Sequence, residues 1–164
     1  MSRESADVRR YRSDDLERIR EITVAAWRPP YEHYRENMGE ELFRAKYGDW
    51  EEHKAGQVAT QCRRAPERVR VATLDSEVVG YVTFKVDGGA GIGTIGNNAV
   101  DPASQGHGIG TTMYEHVLEE FRDRGLSYAE VSTGLTEVYA PARAAYEKVG
   151  FDICRPHVTY WQEL

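Results

Sequence analysis

The stretch Val100-Asp101-Pro102-Ala103-Ser104-Gln105-Gly106-His107-Gly108-Ile109-Gly110-Thr111 decides how this chain is read. It runs from the end of an apolar strand through a glycine-rich turn into an amphipathic helix. Gly106, Gly108 and Gly110 carry no Cβ, so the backbone can turn tightly and bring successive N–H groups close to a ligand. The amides that open a helix have no intrahelical acceptor, and the helix dipole favours anions at that end. A diphosphate fits such a cradle, although a strand–loop–helix corner whose glycines only solve packing has the same composition. No lysine follows Gly110, which excludes the triphosphate loop Gly-x-x-x-x-Gly-Lys, and the spacing is not the dinucleotide pattern Gly-x-Gly-x-x-Gly.

Working outward, Ile92, Thr94, Ile95, Ala99 and Val100 trace the strand before the turn, interrupted by Gly96-Asn97-Asn98. After the turn, Ile109, Met113, Val117, Leu118 and Phe121 recur at helical spacing until Gly125. Val69 to Leu74 and Val78 to Val86 flank Asp75-Ser76-Glu77 and predict an antiparallel hairpin, and Asp87 to Gly91 turns into the strand that feeds the glycines. Ser127 to Thr133 predicts a strand after the long helix. Ala140 to Val149 predicts a helix closed by Gly150, with terminal strands at Phe151 to Arg155 and Val158 to Trp161.

Toward the start, Val8 to Tyr11 predicts a short strand, and Ser13-Asp14-Asp15 offers an N-cap for a helix facing inward through Leu16, Ile19, Thr23 and Ala26. Trp27-Arg28-Pro29-Pro30 predicts its end, because each proline removes an amide donor. Leu42, Phe43 and Tyr47 suggest a short amphipathic helix within the aromatic stretch from Tyr31 to Trp50, and Glu51 to Arg64 predicts another. The whole is an α/β pattern, a mixed sheet with helices on its faces, with ligand chemistry near the strand end before Gln105.

At 164 residues the chain has room for one substantial core, so residues 1–164 are read as a single domain. A net charge of -6 argues against a basic nucleic-acid surface. No apolar run approaches the roughly 20 residues that cross a bilayer, and the polar start is no signal peptide, so neither nucleic acid nor membrane is expected as a partner. Cys62 and Cys154 are too few for a metal cluster and suit a reducing, cytoplasmic setting, and no metal is expected. Ten tyrosines and three tryptophans can wall a ligand cleft or fill the core.

Two segments carry a family resemblance. Gln105-Gly106-His107-Gly108-Ile109-Gly110, approached by Val100-Asp101-Pro102, matches the signature Gln or Arg-x-x-Gly-x-Gly or Ala, and Tyr146-Glu147-Lys148-Val149-Gly150-Phe151 matches Tyr-x-Lys-x-Gly-Phe. In both, and in their order, the chain resembles the GNAT superfamily, the acetyltransferases related to histone and aminoglycoside N-acetyltransferases. The resemblance implies a mixed, mostly antiparallel sheet with splayed central strands that hold acetyl-CoA. It implies diphosphate contacts along Gln105, Gly106, His107, Gly108, Ile109, Gly110 and Thr111, and pantetheine pairing at Asn98, Ala99 and Val100. Tyr146 is implied as the acid that protonates the departing thiolate. The strand glutamate that serves some relatives as base falls at Thr94 here, which leaves Glu130, Tyr31, His33, Tyr34 or a water relay. An asparagine common before the tyrosine-bearing helix is replaced by Tyr139, expected beside the cofactor. Trp27, Tyr31, His33 and Tyr34 are expected to wall the acceptor site. The acceptor expected is a small-molecule amine, with a peptide or protein amine, or CoA binding without turnover, as alternatives. A homodimer is compatible with the terminal strands.

Overall fold

Runs of β-branched residues with period two and runs of apolar residues with period near 3.6 alternate along this chain, and each becomes its own element. The computed structural model describes residues 5–164. In chain order these form β1 (Asp7–Arg10), α1 (Leu16–Met38), α2 (Glu40–Tyr47), α3 (Trp50–Arg64), β2 (Val69–Leu74), β3 (Glu77–Asp87), β4 (Ile92–Val100), α4 (Ile109–Asp123), β5 (Tyr128–Val131) and α5 (Ala140–Lys148). The strands make one sheet in the order β1-β2-β3-β4-β5. The first three pairings are antiparallel and β4 with β5 is parallel, reached through the α4 crossover.

Side-chain alternation divides the core between the two faces. Val82, Phe84 and Ile95 pack on Ile109, Met113, Val117, Phe121 and Tyr146 beneath α4 and α5. Val71 and Tyr81 meet Ile19, Ile22, Val58 and Cys62 beneath α1 and α3. Among the described residues, no helix is long and apolar enough to cross a membrane.

Three expectations are corrected. Helix α1 does not stop at Pro29-Pro30 but continues to Met38. An interior proline costs roughly 3 kcal/mol. Here Pro30 and Tyr31 are buried, and Tyr31 joins Phe43 and Trp50 in an aromatic core between α1, α2 and α3 that offsets the loss. The Asp15 carboxylate does not cap α1. It accepts from the Arg12 N–H at 2.7 Å and from both terminal nitrogens of Arg9 at 2.8 Å, tying β1 to the turn. Residues 151–164 form neither terminal strand: they pair with no strand of the sheet, and from residue 152 onward their backbone is left to water.

Candidate active site

The site begins where two strands part. β4 and β5 pair from Ile92↔Tyr128 to Ile95↔Val131 and no further. Past that point β4 bulges: Val82 of β3 faces Asn98 and Phe84 faces Ile95, so Gly96 and Asn97 share the place opposite Thr83. Asn98, Ala99 and Val100 keep their antiparallel partners on β3 but have no strand on the β5 side. The result is a V-shaped gap with a free backbone edge, as the splayed-strand expectation required.

At the mouth of the gap the glycine turn leads into α4. Gly106 and Gly108 have φ of 81° and 79°, a left-handed backbone that glycine adopts without the Cβ penalty. The first helical bond of α4 runs from the Thr112 N–H to the Gly108 carbonyl, leaving the Ile109, Gly110 and Thr111 amides ahead of it without intrahelical acceptors. Asp101 braces the turn by accepting from the Ala103 N–H and pairing with Arg18 of α1. The Gln105 side chain donates to the Val100 carbonyl at 3.1 Å, so it shapes the turn from within. His107 is exposed, its Nδ1 3.2 Å from the Ser104 carbonyl oxygen. An anion fits this cradle, and an extended amide-rich chain fits the strand edge beside it.

Deeper in the gap, Asn98 gathers two phenols. Its Nδ2 donates to the Tyr146 hydroxyl at 3.1 Å and to the Gly96 carbonyl at 3.0 Å, while its Oδ1 accepts from the Tyr114 hydroxyl at 2.7 Å. The Tyr114 and Tyr146 rings lie 4.8 Å apart. Burial, and then the nearby Tyr146, push the Tyr114 phenol far above its ordinary range, which keeps it a proton donor toward Asn98. Tyr146 is 6 % exposed and stands where α5 meets the bulge of β4.

The other expected residues separate. Glu130 is exposed on β5 and accepts from the Thr94 hydroxyl at 3.3 Å, with no hydrogen bond to the Asn98–Tyr146 pair. His33 does not join the aromatic wall: it is half-buried and its ring nitrogens face Asn37 one turn along the same helix. Tyr31 stacks on Trp50 at 4.2 Å inside the aromatic core, where burial raises its phenol to about 12. Tyr34 hydrogen-bonds Tyr139 hydroxyl to hydroxyl, joining α1 to the loop before α5. Tyr139 is thereby part of this cluster, and desolvation followed by its bond to Tyr34 holds its phenol far above the usual range.

Sequence reasoning missed a polar cluster on the other side of the bulge. Lys54 of α3 is 9 % exposed, and its Nζ donates to Asn97 Oδ1 at 2.7 Å and Gln57 Oε1 at 3.2 Å, 4.0 Å from the centre of the Trp27 ring. Asn97 in turn donates to Gln61. Desolvation lowers the Lys54 pKa. Its interruption of an otherwise apolar helix face, one residue before Ala55 and four before Val58, was the available signal. Arg18 and Tyr114 carried none, because their partners are distant in sequence.

A split sheet with an anion cradle at one end and a buried phenol at the apex is an arrangement with room for an extended ligand that has an anionic end. The family model described as acetyltransferase (GNAT) family matches residues 16–151, and the chain belongs to that family. It is similar to mycothiol acetyltransferase of Catenulispora acidiphila, 35% identical over 91 residues, covering 52% of this chain and 28% of that protein. The matches reach well under half the length of the curated relatives. Among solved structures, PaiA N-acetyltransferase from Thermoplasma acidophilum in complex with coenzyme A superposes with a TM-score of 0.71 at 19% identity, covering 93% of each chain. A GNAT family acetyltransferase from Brucella melitensis in complex with acetyl-CoA gives 0.59 at 25% identity, covering 92% of this chain and 84% of that one.

Proposed function

We propose that this chain transfers an acetyl group from acetyl-CoA to a primary amine on a small molecule, with Tyr146 as the acid. The observation that carries the reading is the Tyr146 hydroxyl, held by Asn98 at the apex of a gap whose mouth is the α4 amide cradle. When bound, acetyl-CoA supplies a thioester carbonyl carbon and a sulfur leaving group.

The chain's residues supply the rest. The amides of Ile109, Gly110 and Thr111 hold the diphosphate at the helix N-terminus, and the free edge at Asn98, Ala99 and Val100 aligns the pantetheine arm. As the amine nitrogen bonds to the carbonyl carbon, the carbon–sulfur bond breaks and the Tyr146 hydroxyl gives its proton to sulfur. Asn98 fixes the direction of that hydroxyl through its own donated bond. The amine's surplus proton passes to water, and water returns a proton to the Tyr146 oxygen; Thr94 cannot serve as a base, and Glu130 makes no hydrogen bond to the Asn98–Tyr146 pair. The name of the Catenulispora relative attaches acetyl transfer to mycothiol, which favours a small acceptor over a protein one.

The test is CoA release from acetyl-CoA across a library of amines, amino acids and peptides, with the acetylated product identified by mass. Acceptor-dependent release with a small amine supports the reading. Release with peptides alone would transfer it to the peptide class, and binding of acetyl-CoA without any product would leave a non-catalytic CoA-binding module.

A further inference from the structure

Arg70 and Lys54 are the buried cations among the described residues, and the fold treats them differently. Arg70 meets the Glu120 carboxylate at 2.7 Å. Lys54 meets no carboxylate of the described residues within ion-pair reach, and its oxygen partners are the neutral amides of Asn97 and Gln57. Acids were at hand. Glu51 and Glu52 precede Lys54 on the same helix, but Glu51 pairs with Arg28 and Glu52 with Arg20, both on α1. A buried charge without a counter-charge is costly, and an anion brought by a ligand offsets that cost.

This cation stands beside the reacting groups. Asn97 and Asn98 are consecutive in the β4 bulge, about 3.8 Å apart at Cα, and their side chains face opposite ways. Asn98 holds the Tyr146 hydroxyl beneath α4 and α5, whereas Asn97 accepts from Lys54 on the α3 side. Ammonium and phenol therefore flank one peptide unit of the bulge from its two faces. The ammonium has three protons to donate. Asn97 takes one at 2.7 Å and Gln57 another at 3.2 Å, and the remaining contact is the face of the Trp27 ring. Gln57 is exposed and Trp27 half-buried, so Nζ is approached from solvent between a replaceable amide and an aromatic wall.

We infer that Lys54 anchors a carboxylate carried by the acceptor, so that the amine this chain acetylates is an amino acid rather than a simple alkylamine. The inference rests on the acetyl-transfer reading and names the substrate class for that same site. A carboxylate brings one negative charge to one ammonium, and in the place of Gln57 it makes a charge-assisted bond stronger than that to a neutral amide. Arg20 and Arg28, which could answer the second charge of a phosphate, are engaged by Glu52 and Glu51. The Trp27 ring offers apolar surface to the carbons between the two ends of the acceptor. With its carboxylate held on the α3 side, the acceptor directs its amine into the gap toward the thioester.

The test sets glycine, β-alanine, γ-aminobutyrate and phenylalanine each against the alkylamine that lacks its carboxylate, with wild type and Lys54→Met at saturating acetyl-CoA. The expected wild-type kcat/KM for at least one acid exceeds that of its alkylamine by ~30-fold or more, and Lys54→Met brings the ratio to within about threefold of one, through KM. Wild-type ratios near one for every pair overturn the inference and leave acetyl transfer standing. A Lys54→Met loss equal for acid and alkylamine also overturns it, because Lys54 would then only brace the bulge. If no amine is acetylated, the acetyl-transfer reading fails by itself, and the CoA-loaded chain is titrated with the same acids in a calorimeter. Binding that Lys54→Met abolishes supports the anchor; no binding, or binding that survives the substitution, overturns it. Should circular dichroism show Lys54→Met unfolded, Lys54→Gln, which keeps a hydrogen-bond donor without the charge, takes its place in each arm.

Discussion

Tyr146→Phe removes one oxygen from the place where Asn98 meets α5 and leaves the ring in its packing against Tyr114 and Phe151. Structurally, the Asn98 Nδ2 keeps its bond to the Gly96 carbonyl and loses the one to Tyr146. An amide N–H left without an acceptor costs about 1–3 kcal/mol, and half-buried Asn98 belongs at the low end, about 1 kcal/mol. In a chain of this size that lowers Tm by about 2–4 °C. The chemical loss is of another order. A positioned general acid contributes roughly 10²–10⁴ in rate, equivalent to about 2.7–5.5 kcal/mol of barrier. CoA release is followed with a thiol reagent at saturating acetyl-CoA, and CoA affinity by calorimetry on the same protein. The expected result is a kcat lower by at least ~100-fold with Kd for CoA within about threefold. A kcat within about threefold of wild type would refute the role given to Tyr146, and a parallel collapse of affinity would make it a binding residue instead.

Gly108→Ala places a Cβ on a backbone with φ of 79°, a strain of about 1–2 kcal/mol that the unliganded turn relieves by relaxing and that acetyl-CoA must restore to use the cradle, so affinity in calorimetry is expected to fall about 5- to 30-fold. Arg70→Met removes a buried guanidinium that donates to Glu120 at 2.7 Å and to the Glu67 and Val69 carbonyls. Glu120 keeps Arg124, so the loss in urea unfolding is expected at about 2–3 kcal/mol, below the 3–5 of a fully orphaned buried pair. Lys54 supplies a pH signature. Its folded-state pKa lies below 10.5, so between the two values the unfolded chain binds more protons and stability rises with pH. Buried phenols such as Tyr31 act oppositely above 10, so the observable is the difference between wild type and Lys54→Met. That difference is expected to grow in favour of wild type as pH rises toward 10.5, and a flat difference would contradict the desolvation of Lys54.

The β2–β3 hairpin, the strand that feeds the turn, the crossover helix and the phosphate-type turn were legible because they rest on local signals: period-two strands, a helical stripe from Ile109 to Phe121, and glycines placed where φ turns positive. The end of α1 was not. Pro29 and Pro30 carry a strong local stop signal, and what overrides it is the burial of Tyr31 against Phe43 and Trp50, a contact among three helices that no window of sequence contains. The packing of the expected acceptor wall was hidden for the same reason: Tyr31 and Tyr34 are engaged by Trp50, Tyr47 and Tyr139, and His33 turns to Asn37. The bond from Asn98 to Tyr146 joins residues 98 and 146, and only the folded sheet shows it.

The central claim, that the parting of β4 from β5 and the α4 amides together hold acetyl-CoA, is tested most directly by titrating the folded chain with acetyl-CoA in a calorimeter. Saturable binding, one ligand per chain, weakened by Gly108→Ala and not by Lys54→Met, is the predicted result. No heat of binding from a chain that circular dichroism shows to be folded would contradict it.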